Sequence, residues 1–415
     1  MIRRCRLLPL LAAGLLGLAA PAGAGLAPGT LLIYYGWPSG INGTFAVAAA
    51  AAEFARYDHV VLGDGLELAT HPDHAATAAI LALVHASAAT RVYGYVDLGV
   101  STQDLSLADI VLRLDAWQAT GADGVFLDDF GYDFGVTRER QNAAVAAAHA
   151  RGLPVVANGW NPADLFGDAS DPAHNPDGAP TLLGAGDYYL SESFLFMAGA
   201  WAPVGDWYAK AVAVEQYRAQ LGFGVLAVTT GDAAGAFDPA AFACAWYGAL
   251  LWGCDAVGWG EYLFAALSGS APWREPPPVD AGDSFRSPVL AAAPLFRRAT
   301  DRGWVSLDTA GHVGSFTAGP SAVAPAPAPA PTLRAAPNPF NPATTLSLEL
   351  PEASPVSLAV YALDGRRVAV LAAGETFGAG RHEVPFAARG LAAGAYLCRL
   401  RTARGEATCR LALVR

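Results

Sequence analysis

Positive charge is scarce in this chain, with 26 Lys and Arg against 37 Asp and Glu and a formal net charge of −11. The basic footprint that draws a protein to nucleic acid or an anionic membrane is therefore missing, and a cationic partner would be welcome. No Gly-Xaa-Ser-Xaa-Gly elbow and no His-Glu-Xaa-Xaa-His occurs, so serine-hydrolase and zincin chemistry find no support. Beyond the first 24 residues no apolar run is long enough to span a membrane. Cysteines are few: four follow the leader, and neither Cys244 with Cys254 nor Cys398 with Cys409 has zinc-site spacing. No metal and no cofactor is expected.

What is present is bulk apolar material. The 415 residues are 53% hydrophobic, enough for a large core and for two or three domains. Residues 1–24 join Arg3, Arg4 and Arg6 to an apolar run over 7–20 and the small residues Ala22-Gly23-Ala24. That is the layout of a cleavable signal peptide, with a mature start near Gly25 and a secreted or cell-surface location; an uncleaved anchor is the alternative. Cys5 precedes the apolar run and so is not a lipobox cysteine. Export permits disulfides. A hairpin centred on Ala403 and Arg404 would set Cys398 opposite Cys409 at bridging distance, whereas Cys244 and Cys254 read equally as buried thiols.

From residue 31 to 262 one theme recurs eight times: a short apolar strand ending in a polar or aromatic residue, mostly followed by an Ala-rich helical stretch. Strands are expected over 31–36, 59–65, 91–99, 123–131, 154–160, 187–194, 224–231 and 256–262. Helices are expected over 44–57 with Thr44 as N-cap, 74–89, 106–120, 137–151, 204–221 and 239–252, with Gly121 and Gly152 as C-caps. Such alternation means a parallel sheet, and eight strands close a (β/α)8 TIM barrel. An eighth helix is expected over 287–300 and an appended hairpin over 303–316. The long segment 161–186 holds Asp168, Asp171, His174 and Asp177, which read as a solvated polar loop in preference to a calcium site.

Composition changes abruptly at 318–332, where Pro alternates with Ala in a polyproline-like linker. The expected domains are thus a barrel over 25–317 and, over 333–415, a small all-β sandwich of short strands separated by turn signals. The motifs Pro337-Asn338-Pro339-Phe340-Asn341-Pro342, Val360-Tyr361-Ala362-Leu363-Asp364-Gly365-Arg366 and Gly394-Ala395-Tyr396 resemble the Ig-like domain shared by the flagellar hook capping protein and the C-terminal sorting domains of type IX secretion. The resemblance covers about 80 residues. It implies secretion, surface attachment or module docking and no catalysis, with a plain spacer as the alternative.

In β/α barrels chemistry gathers where the strands end. Those ends offer Tyr34, Tyr35 and Trp37, then Asp64, Asp97, Asp128, Asp129, Asn158, Trp160, Glu192, Thr230, Asp232, Trp259 and Glu261. Seven carboxylates at one end repel one another, so the cluster points to an active site. Glycoside hydrolysis needs two carboxyl groups astride the scissile bond, and Asp128 or Asp129 with Glu192 meets that need. Because side chains alternate along a strand, Asp128 is expected to point inward and Asp129 to serve as a neighbour or substrate contact. Tyr35, Trp37, Asp64, Asp97, Asn158, Trp160, Asp232, Trp259 and Glu261 are expected substrate contacts, the aromatic ones as platforms for sugar rings. The rings Tyr188, Tyr189, Phe194 and Phe196 around Glu192 predict a desolvated general acid there, with Asp128 as the ionised nucleophile or base.

The segment 123–130, together with Tyr34-Tyr35-Gly36 and Ser191-Glu192-Ser193-Phe194, resembles the spherulin-4-like and endo-alpha-1,4-polygalactosaminidase group of barrel glycosidases, over roughly residues 30 to 265. The resemblance implies catalytic roles for Asp128, Asp129 and Glu192 and substrates that include cationic galactosamine polymers. The length of the 161–186 loop departs from the group's pattern. The expectation is a secreted, monomeric glycoside hydrolase acting on a polysaccharide, with amino-sugar polymers among the candidates. The alternative is a non-catalytic carbohydrate-binding or surface-structural protein on the same scaffold.

Overall fold

The computed structural model describes residues 25–319, 331–350, 353–362, 366–402 and 405–414. The leader expected over 1–24, most of the Pro-Ala linker and the Ala403-Arg404 turn lie outside the described residues.

Eight runs rich in Val, Leu and Ile form a closed barrel: β1 (Gly29–Tyr34), β2 (His59–Leu62), β3 (Arg91–Asp97), β4 (Gly124–Asp128), β5 (Val155–Asn158), β6 (Tyr188–Glu192), β7 (Gly224–Val228) and β8 (Ala256–Gly258). Each strand pairs in parallel with the next, and β8 closes onto β1 with Gly29 opposite Ala256. Parallel pairing requires crossovers. Helices supply them: α1 (Val47–Phe54), α2 (His74–Ser87), α3 (Leu107–Thr120), α4 (Arg138–His149), α5 (Pro162–Phe166), α6 (Val204–Leu221) and α7 (Pro239–Trp252).

Local chemistry fixes most helix ends. The side chains of Ser106, Thr137 and Asp238 accept hydrogen bonds from the first backbone N–H groups of α3, α4 and α7. Gly121 ends α3 at φ 99°, where a Cβ would be strained. Thr44 does not cap α1. It closes a 3-10 turn instead, its hydroxyl donating to the Ser39 carbonyl, and α1 starts at Val47 without a side-chain cap. Gly152, also with positive φ, lies two residues past the Ala150 C-cap of α4.

The barrel is filled by inward residues at period two. Leu31 and Ile33, Val61, Tyr93, Phe126, Val156, Leu190, Leu226 and Val228 form its interior, while a second, larger core packs the outer strand faces against the helices. Gly94 lets the buried Trp117 ring of α3 lie directly on β3; a Cβ there would enter the ring.

No helix follows β8 over 287–300. Pro288 and Pro294 interrupt that segment, and it forms β9 (Leu290–Ala292) and β10 (Leu295–Ala299), which join β11 (Gly303–Asp308) and β12 (Val313–Ala318) in an antiparallel sheet. The expected hairpin is β11–β12. The sheet lies against α7, where Arg298 Nη1 donates to the Leu251 carbonyl at 3.0 Å.

The chain divides into two compact units, one ending at Ser321 and one beginning at Ala322. The second has a three-stranded and a four-stranded antiparallel sheet around its own core of Leu346, Leu348, Val356, Leu358, Leu400 and Leu411. Strands Gly394–Thr402 and Gly405–Leu413 pair so that Cys398 faces Cys409. Both thiols are free, and their mutual hydrogen bond raises Cys398 and lowers Cys409 from the ordinary thiol range. Cys244 and Cys254 are likewise free, both buried and both pushed up to about 12 by burial. Among the described residues no helix is long and apolar enough to cross a membrane.

Candidate active site

On five of the eight strands the inward series ends in a polar side chain. Phe126 is followed two residues on by Asp128, Val156 by Asn158, Leu190 by Glu192, Ile33 by Tyr35 and Tyr93 by Tyr95. These ends converge on a cavity of about 400 Å³ lined by Tyr35, Asp128, Asp129, Asp133, Asn158, Trp160, Glu192, Lys210 and Phe264, with Ile33, Phe134, Gly159 and Leu190 completing the wall.

At its centre the Asn158 side-chain amide donates one hydrogen bond to Asp128 Oδ1 and one to Glu192 Oε2, each at 2.9 Å. Both acceptor oxygens lie 2.9 Å from the same nitrogen, so they stand within about 6 Å of each other. One amide thereby fixes two carboxyl groups on neighbouring sides of one space.

Asp129 reaches the same space by a different route. It is the first residue past β4 and adopts φ 51°, a left-handed backbone conformation uncommon for a residue with a side chain, and this turns it into the mouth instead of outward. Gly99 permits that turn, since a Cβ there would stand 3.0 Å from the Asp129 Cβ and collide with Thr102. Behind it the buried Asp97, the β3 partner of Asp128 in register, accepts a 2.7 Å hydrogen bond from Thr102 Oγ1.

Burial, and next the charge of Asp129, push Asp128 up to about 7. The two hydrogen bonds it accepts, from Asn158 and the Asp129 backbone, offset only part of that. Asp129 itself is pushed up to about 6 by burial and by Asp97. The structure thus puts a desolvated carboxyl at Asp128, where the sequence predicts an ionised one. Of the rings that flank Glu192 in sequence, Tyr188 lies at the barrel floor with Arg91, Tyr189 donates to the Gly159 carbonyl, and Phe196 packs on Trp201 and Trp259. Burial and the Asp128 charge raise the hydroxyls of Tyr35 and Tyr95, which stay protonated as donors.

The strand-end residues do not all meet here. Asp64 accepts from Gln103 and Arg113 at 2.9 and 3.1 Å, and Glu261 accepts from Arg274 Nε at 3.1 Å. Trp259 is enclosed by Phe196, Phe237 and Phe242, while Asp232 caps its own exposed turn by accepting from Ala234 N. Trp37 stands 55% exposed against the edge of His71. None of these five lines the cavity. In the 161–186 loop, Asp171 is occupied by Ala173 and by both nitrogen donors of His174, and among the described residues no group of three or more His, Cys, Asp or Glu could hold a metal ion.

Lys210, Asp133 and Phe264 are among the additions that sequence patterning missed. Phe264 comes from a strained turn after β8 and had no sequence signal. Lys210 had one: it is the single lysine among the 26 basic residues of the chain. It projects from α6 with Nζ 3.6 Å from the Trp160 ring centroid, so one face of that exposed ring is already covered.

No family model matches the chain, and no curated protein matches it. Among solved structures it is similar to the glycoside hydrolase domain of PelA from Pseudomonas aeruginosa, at 14% identity and a TM-score of 0.35 over 59% of this chain and 99% of that one. It is similar to an endo-beta-1,4-mannanase double mutant from Cellulomonas fimi at 13% and 0.36, over 93% and 94% of the two chains. N-acetylneuraminate lyase from Fusobacterium nucleatum matches at 12% and 0.32, over 57% and 69%. Hydrolases and a lyase match at the same level, and the functional reading rests on the geometry of the site.

Proposed function

We propose that the barrel is a glycoside hydrolase working by double displacement, with Asp128 as general acid and base and Glu192 as nucleophile. The observation that carries this is the Asn158 amide bonding both carboxyl groups, which keeps the two acceptor oxygens within about 6 Å of each other, closer than the roughly 6.5 to 9.5 Å that leaves room for the water of an inverting pair. In the first step a Glu192 oxygen bonds to the anomeric carbon as the glycosidic C–O bond breaks and Asp128 gives its proton to the leaving oxygen. In the second, water attacks the same carbon, Asp128 takes the water's proton, and the glycosyl–Glu192 bond breaks. A carboxyl poised near 7 suits the group that must both give and take a proton. Asp129, Tyr35 and Tyr95 surround the reacting sugar as polar contacts, and the charge of Asp97 raises the Asp129 carboxyl.

The substrate in this reading is a polysaccharide, and the C-terminal sandwich serves attachment or sorting of an exported enzyme. The test is a panel of galactosamine-rich, N-acetylated and neutral oligosaccharides incubated with the purified full chain, with products followed by mass spectrometry. Release of shorter oligosaccharides from at least one member is expected. Binding without any cleavage across the panel would favour a non-catalytic carbohydrate-binding barrel.

A further inference from the structure

The last two strands of the C-terminal unit, Gly394–Thr402 and Gly405–Leu413, set one thiol against another. They pair in one unbroken register, with Cys398 directly opposite Cys409. Opposed residues of an antiparallel pair share a face of the sheet and have Cα atoms about 4.5 to 5.5 Å apart, inside the span a disulfide bridges. Here that face is the core: Cys398 lies on it between Tyr396 and Leu400, and Cys409 packs against the same cluster next to Leu411. The two thiols differ in access. Cys398 is fully buried, whereas Cys409 is partly open to solvent.

We propose that Cys398 and Cys409 are a thiol–disulfide exchange pair, in which Cys409 attacks an incoming small disulfide of the glutathione type and Cys398 resolves the product into a cross-strand bond. First the Cys409 thiolate bonds to one sulfur of the small disulfide, whose S–S bond breaks, and the other half leaves as a thiolate. Then the Cys398 sulfur gives up its proton, bonds to Cys409 Sγ and expels the second half. Two cysteine thiols are oxidised, one small disulfide is reduced to two thiols, and the cysteine protons end on those. Access sets the order, because a small disulfide meets the open thiol and not the buried one. The hydrogen bond from the Cys398 thiol, which lowers Cys409 from the ordinary thiol range, favours the same order. Cys244 and Cys254 are the contrast, since burial pushes both up to about 12 and neither offers a thiolate near neutral pH.

The bond closes on the strand with most to lose. Gly405–Leu413 is the edge strand of its four-stranded sheet, and it also holds the segment 338–340 in place. Asn338 Nδ2 donates to the Arg410 carbonyl at 2.6 Å, Ala412 N donates to Asn338 Oδ1 at 2.9 Å, and Phe340 N donates to the Ala412 carbonyl at 2.9 Å. Peeling this strand away releases both ends of the unit together, and a covalent tie at its middle prevents that. The inference goes beyond the hydrolase reading and does not depend on it.

The test uses the full chain, reduced, freed of reductant and incubated with oxidised glutathione, then unfolded in acid, alkylated and mapped by peptide mass spectrometry. Cys398 and Cys409 are expected joined, their peptide pair lighter by about 2 Da than the two free peptides, with Cys244 and Cys254 alkylated. Cys398→Ala should accumulate glutathione on Cys409, and Cys409→Ala should take up roughly tenfold less on Cys398. Forming the bond should raise the unfolding midpoint of the C-terminal unit by about 10 °C, a rise absent from the Cys398→Ala/Cys409→Ala double variant. Recovery of both Cys398 and Cys409 as alkylated thiols from the wild type overturns the proposal without recourse to any variant. Equal uptake by the two single variants overturns the assigned roles, and a midpoint that ignores the bond overturns its hold on the edge strand.

Discussion

Glu192→Gln and Asp128→Asn should each lower turnover by at least ~100-fold while circular dichroism and the unfolding midpoint remain those of a folded barrel. The two substitutions fail for different reasons. Gln at 192 keeps the hydrogen bond from Asn158 but cannot form the glycosyl ester, so the loss falls on formation of the covalent intermediate. Asn at 128 keeps the shape of the side chain but has no proton to give the leaving oxygen. Substrates with good leaving groups, which need no such proton, should therefore be spared in the first step of Asp128→Asn and not in Glu192→Gln. Asp129→Asn should cost less than either, since Asp129 acts through the charge it lays on Asp128 and through contact with substrate. Removing that charge should also draw Asp128 down from about 7 and shift the basic limb of the rate profile to lower pH. Near-normal turnover in both Glu192→Gln and Asp128→Asn would move the chemistry off this pair.

The same Asp128→Asn variant should be more stable than the wild type at pH 8 and no more stable at pH 3.5. The folded state holds the Asp128 proton to about pH 7, whereas a carboxyl in the unfolded chain loses it near 3.8. Below 3.8 both states are protonated and the buried acid costs nothing. As pH rises from about 4 to about 7 the unfolded state gains by ionising first, so native stability falls, and above about 7 both states are ionised and the loss is constant. A shift from 3.8 to about 7 corresponds to a penalty of up to about 4 kcal/mol, reduced in practice by whatever the site relaxes when the charge appears. Asparagine has no charge to bury and escapes it. Urea unfolding of the two proteins at pH 3.5 and pH 8 measures the difference, and a variant gain equal at both pH values would show that the Asp128 carboxyl is not desolvated in the fold. A site kept at a cost to stability is what catalysis leaves behind.

The barrel was legible because its signal is redundant. Eight apolar runs, each ending in a polar residue and most followed by Ala-rich helix, leave few other topologies, and an error of two or three residues at a strand end changes nothing. The eighth helix was not legible from apolar content alone: Pro288 and Pro294 break the segment, and its 3.6-residue pattern gives way to paired strands. Within the site, period-two alternation placed Asp128, Asn158 and Glu192 on one inward surface, and the αL turn at Asp129 is local geometry that no pattern encodes. Being near a strand end proved too coarse a criterion for the rest. The β8 strand is only Ala256–Gly258, and beyond it the chain turns Trp259 into an aromatic cluster and Glu261 toward Arg274; Asp64 is drawn off by Arg113. Ring-rich neighbours in sequence stood in for desolvation, which depends on what closes over a side chain in space, and in the fold burial raises the Asp128 carboxyl. Lys210 lay hidden on a helix, where its rarity was the only mark of its place.

The configuration of the first sugar released decides most directly whether the two carboxyl groups that share the Asn158 amide act as a retaining pair. Proton NMR of the reducing end, recorded within minutes of adding the full chain to a substrate it cleaves and before mutarotation, reads the anomer formed. Double displacement through Glu192 predicts the anomer of the bond that was cut. The opposite anomer, appearing first and then equilibrating, would mean that water attacks directly, and the assignment of Glu192 as nucleophile would be wrong.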